Sequence, residues 1–184
     1  MTPRLRKFAL TAHITFSVGW MGAVAGFLVL AVAGLTSKNA QLVRSAYLAM
    51  ELIAWYVIVP LALASVLSGL VQSLGTAWGL FRHYWVLVKF VVTIFATVVL
   101  LLKLKLITNL ASIAAQTTLS SGDLRGQRNE LVIHAAGGLL VLLVPMVLSI
   151  YKPWGMTAYG QRKVAERHKM RSQRPVPTKN PIRS

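Results

Sequence analysis

The chain contains no cysteine, which removes disulfide frameworks, zinc fingers, thiol catalysis, cysteine-ligated iron–sulfur clusters and covalent c-type haem together. Acidic residues are nearly as scarce. Four Asp plus Glu stand against 20 Lys plus Arg, for a formal net charge of +16. So few carboxylates leave no pair for general acid–base chemistry within one segment, and the sequence holds no H-E-x-x-H, phosphate-cradling glycine loop or nucleophile elbow. Catalysis of the soluble type is not expected. Charged residues are also few in total, 13% of the chain, where a soluble domain carries about a quarter. A soluble single domain is excluded. The basic balance would suggest nucleic acid as a partner, but no recognition module accompanies it, and none is expected.

What the chain has instead is apolar length: 55% of its 184 residues are hydrophobic, with a mean hydropathy of +0.61. A membrane-spanning helix needs about 20 consecutive apolar residues, and four runs qualify, at 8–35, 47–74, 84–107 and 131–151. The fold class is therefore all-α, an integral membrane four-helix bundle. The first run is too long for a cleavable signal peptide and is expected to remain. Continuous runs also speak against a membrane barrel, whose strands alternate. The organisation that follows is a short basic N-terminus at 1–7, a transmembrane domain at 8–151 and a basic tail at 152–184.

Charge placement orients the bundle. Thirteen Lys and Arg fall on the side of the termini and 6 on the other, so the positive-inside rule predicts both termini in the cytoplasm of a multi-pass inner-membrane protein. Between spans, Thr36-Ser37-Lys38-Asn39 reads as a helix end and cap. The stretch 109–118 can extend the third helix, Ser120-Ser121-Gly122-Asp123 signals a turn, and Asp123 or Asn129 is a candidate cap for the fourth helix. In the tail, a basic helix up to about Arg171 precedes a disordered stretch containing Pro175, Pro177 and Pro181. Arg162, Lys163, Arg167, Lys169 and Arg171 are candidate contacts for anionic inner-leaflet lipids; a pure topology determinant is the equal alternative.

Polar side chains inside spans are costly and therefore informative. Glu51 and His134 sit at similar depth on the outer side and are a candidate proton-carrying or ligand-orienting pair. On the inner side, His13 and His83 match in depth and are the candidate axial ligands of a b-type haem. Lys89 is expected to snorkel to the headgroups. Ser17 shares a face with His13, and Trp20 and Trp55 lie deep enough to border a pocket, whereas Trp78, Trp85 and Trp154 read as interfacial belt residues. Pro60 and Pro145 predict kinks. The G-x-x-x-G step at Gly22 and Gly26, with Ala135-Ala136-Gly137-Gly138 in span four, predicts close packing within the bundle; dimerisation through span one is the alternative.

The stretch Trp78-Gly79-Leu80-Phe81-Arg82-His83-Tyr84-Trp85-Val86-Leu87-Val88-Lys89, with His13 and Gly19-Trp20, resembles a group of small bacterial four-span membrane proteins of unknown function. That group is distantly similar in layout to copper-resistance membrane proteins with intramembrane histidines. The resemblance implies a bacterial inner-membrane protein without an assigned reaction, and the Met-rich and His-rich external ligands of the copper proteins have no counterpart here. Three functions stay open. The first is a non-enzymatic membrane component acting through lipid, a membrane-protein partner or a homodimer. The second is a haem b or metal-binding electron-transfer or quinone-site protein using His13 and His83. The third is a small proton-linked transporter using Glu51 and His134.

Overall fold

The computed structural model describes residues 2–75, 83–116, 125–151, 155 and 157–172, with the side chains of 167, 168 and 171 excepted. Helix α1 runs over Pro3–Thr36. The Thr2 hydroxyl accepts the Leu5 N–H at 3.4 Å, and Pro3 takes the first turn, where its missing N–H costs nothing. The Asn39 side chain then caps α2, Ala40–Ile53, by accepting the N–H groups of Gln41 and Leu42 at 3.0 and 3.2 Å. One π turn, Ala54–Ile58, joins α2 to α3, Val59–Gly75.

That π turn stands directly before Pro60, where a kink is expected, and the N–H of Val59 bonds five residues back to the carbonyl of Ala54. It also keeps one face buried. Met50, Ala54, Ile58 and Ala62 are buried at successive steps of four, which in an ideal α-helix would drift by about 120°. The extra residue in the wide turn takes up part of that drift.

Helix α4 covers Tyr84–Gln116, so the third helix does extend through 109–116. Helix α5 covers Arg125–Tyr151. Asn129 lies inside it and caps nothing, because helical hydrogen bonding already begins a turn earlier; Asp123 and the turn at 120–123 fall outside the described residues. The basic tail forms α6, Ala158–Ser172.

Four helical stretches, Pro3–Thr36, Ala40–Gly75, Tyr84–Gln116 and Arg125–Tyr151, are long and apolar enough to cross a membrane. The chain is an all-α, multi-pass membrane protein, with no strand among the described residues. Each span packs on the next and α5 closes back on α1, while α1 and α4 stand diagonally across the axis. The start of α1 and the end of α5 thereby lie at one end of the bundle, the terminal end.

Packing is uneven along the axis. Buried residues of α4 begin only at Thr97 and continue as Leu104, Ile107, Leu110, Ala111 and Ala114. In α1 they are Trp20, Val24, Phe27, Ala31 and Gly34, and in α5 Leu131 and Ala135 with only Pro145 further on. The far half is thus a close-packed core of the kind that tolerates few voids. The terminal half is not.

A polar chamber in the loosely packed half

Between the helices of the terminal half lies a cavity of about 520 Å³, in the size range of small-molecule sites. Its polar wall comes from His13, Ser17 and Trp20 of α1, Ser65 and Gln72 of α3, and Lys89, Thr93 and Ser149 of α4 and α5. A smaller cavity of about 120 Å³ shares His13, Ser65, Gln72 and Lys89 and extends the space toward Gly69.

Each polar group is held by local chemistry. His13 Nδ1 is 3.0 Å from Ser68 Oγ, whose own hydroxyl lies 2.6 Å from the Ala64 carbonyl. One hydroxyl has one proton, and the shorter contact takes it; His13 therefore donates from Nδ1 to Ser68. Gly69 makes room, since a Cβ there would stand 3.1 Å from His13 Cε1. One turn along, Ser17 and Ser65 are joined hydroxyl to hydroxyl at 2.8 Å, and Gln72 Nε2 donates to the Ala9 carbonyl at 3.0 Å. These rungs stitch α1 to α3 antiparallel.

Lys89 departs from the snorkelling expectation. Its ammonium turns inward and donates to Ser149 Oγ at 2.6 Å, and Ser149 passes its own proton to the Pro145 carbonyl at 2.7 Å. The kink-prone proline thus positions an acceptor for the serine that receives the lysine. The hydroxyls of Thr93 and Thr97 bond back to the carbonyls of Lys89 and Thr93. Trp20 is 3% exposed, and its indole N–H has no hydrogen-bond partner among the described residues. An unsatisfied buried donor costs about 1–3 kcal/mol.

The other expected sites meet the structure unevenly. His83 packs its ring against Trp85, centroids 6.3 Å apart, and is not a wall residue of the chamber, so the structure does not set His13 and His83 about one slot. Among the described residues no group of three His, Asp or Glu could hold a metal. His134 Nδ1 donates to the Glu130 carbonyl one turn back at 2.8 Å, while Glu51 has no hydrogen bond or ion pair to His134. The acid engaged in this region is Glu130, 2.6 Å from Lys103. Trp55 is 47% exposed, donates to Thr108 and is not a wall residue of the chamber. Trp78 and Trp154 lie outside the described residues.

The glycine steps do not serve packing inside the bundle. A Cβ added at Gly22, Gly26, Gly137 or Gly138 would meet nothing within 4 Å, because these residues face away from neighbouring helices. In the tail, Arg162 and Lys169 are exposed, and Lys163 shares its charge with Glu166 at 3.6 Å. Sequence reasoning had no signal for the inward turn of Lys89, which depends on Ser149 arriving from another helix. Set beside known proteins, the chain matches no family model, no curated protein and no solved structure.

Proposed function

We propose that the protein is a non-enzymatic membrane component that acts through lipid association, holding a small amphipathic molecule in the chamber of its terminal half. One observation carries this reading: a cavity of about 520 Å³ lies in a membrane-spanning bundle, walled by hydrogen-bonding groups in a region where polar groups are costly. The far half of the same bundle buries its apolar face in a continuous core, whereas the terminal half opens into the chamber. In this reading the termini are cytoplasmic and the basic tail rests on the anionic inner leaflet, which places the chamber in the inner half of the bilayer.

The electron-transfer reading gains little from the geometry, since only one histidine of its pair reaches the chamber wall. The Glu51 and His134 transporter reading has no shared hydrogen bond to carry a proton. The test is ligand-induced stabilisation in a neutral detergent. An amphipath that binds only the folded protein raises Tm with concentration, and Ser17→Phe, which fills the chamber from α1, should suppress the rise. If no amphipath stabilises the parent protein more than the filled variant, the reading fails.

A further inference from the structure

We infer that the molecule held in the chamber is an anion with a single long apolar chain, a carboxylate- or phosphate-headed lipid, which enters sideways from the bilayer between α1 and α5 and serves as the counter-ion of Lys89. The inference rests on the chamber being a ligand site. Its starting point is a shortage of acids. Of the 4 in the chain, Glu130 pairs with Lys103 and Glu166 with Lys163. Glu51 is on α2, in the far half of the bundle, and Asp123 is in the connection following α4, outside the described residues. Among the described residues no carboxylate contacts Lys89, whose hydrogen-bond partner is a neutral hydroxyl. An ammonium in a membrane span is normally paired, and among the described residues no carboxylate pairs this one.

The hydrogen-bond count points the same way. An ammonium has three protons and Ser149 takes one. The Ser149 proton is itself committed to Pro145, so two protons of the ammonium are left without an acceptor among the described residues. Two ammonium protons are thus left at the wall, and the head group that complements them offers acceptors and carries negative charge.

The shape of the chamber supplies the rest. Leu10, Ile14 and Val18 recur every fourth residue along α1, and Met146 and Ile150 do so along α5; all five line the chamber. Each is also 44–66% exposed. Wall side chains this exposed on both helices leave the chamber open between α1 and α5, and the apolar portal suits an acyl chain. Lys89 stands five residues into α4, about 8 Å along the helix at 1.5 Å per residue, which sets the head group near the interface and the chain within the hydrocarbon.

The experiment measures binding of four probes to the full-length protein in neutral detergent, by thermal shift and native mass spectrometry. Oleate and lysophosphatidate supply the two anionic heads; monoolein and decylubiquinone are neutral controls with comparable chains. The expected result is at least tenfold tighter binding of one or both anions than of either neutral probe. Lys89→Met should lose that preference and Lys89→Arg should keep it, with the ligand-free Tm of each variant reporting its folding. Preference for oleate alone assigns a carboxylate, and preference for lysophosphatidate alone a phosphate. Equal binding of neutral and anionic probes, unaffected by Lys89→Met, overturns the anion inference and leaves the chamber reading standing. Absence of binding by all four overturns both.

Discussion

Tyr47 packs so closely on Gly34 that a Cβ at position 34 would stand 3.0 Å from the ring Cζ and 3.1 Å from Cε2 and the hydroxyl. The same pair receives Arg128 from α5, which donates from Nε to the Tyr47 hydroxyl at 3.0 Å and from Nη2 to the Gly34 carbonyl, with its guanidinium 5.8 Å from the ring centroid. That carbonyl is among the last four of α1, which have no partner within the helix. Three helices are thereby tied at the far end.

Gly34→Ala should therefore cost about 1–3 kcal/mol through overpacking and displacement of Tyr47 from Arg128, read as a fall in Tm in detergent. Gly26→Ala, where a Cβ meets nothing, should be neutral or gain up to about 1 kcal/mol of helix propensity. Equal losses at the two positions would contradict the packing described.

Two double-mutant cycles separate a pair that touches from one that does not. For Lys103 and Glu130, 2.6 Å apart and partly exposed, Lys103→Met and Glu130→Gln should couple by up to about 1 kcal/mol. Glu51→Gln and His134→Gln should be additive within about 0.5 kcal/mol. Strong coupling of the second pair would restore a Glu51–His134 contact that the structure does not contain.

The tail should bind anionic surfaces by charge alone, since α6 is polar on all sides apart from scattered Tyr159, Val164 and Met170. In nanodiscs containing phosphatidylglycerol, a fluorophore at Ser172 should approach a headgroup quencher. It should withdraw in 0.5 M salt or when Arg162, Arg167, Lys169 and Arg171 are neutralised, each residue contributing roughly 1 kcal/mol near the surface. Neutralising Lys163, which already faces Glu166, should matter least. Quenching that is indifferent to salt would exclude electrostatic docking.

The 13-to-6 distribution of Lys and Arg makes a C-terminal fusion testable directly. A reporter active only in the cytoplasm should be active after Ser184, and activity of a periplasm-only reporter there would invert the orientation.

The sequence by itself determined the class of structure and its outline. Four apolar runs must satisfy their backbone hydrogen bonds internally, which in lipid leaves helices. Local chemistry then set several of the ends, as Thr2 and Asn39 show by capping the helices they precede. Pro60 likewise announced a distortion, although not that a π turn would absorb it. Which polar residues meet was beyond the sequence, because depth along a helix does not settle rotation about its axis. His13 found Ser68, Lys89 found Ser149 and Arg128 found Tyr47 across separations of 55, 60 and 81 residues. Glu51 and His134, matched in depth, share no bond. Tertiary packing alone decided these contacts and the chamber, since a void exists only where four faces fail to close on one another.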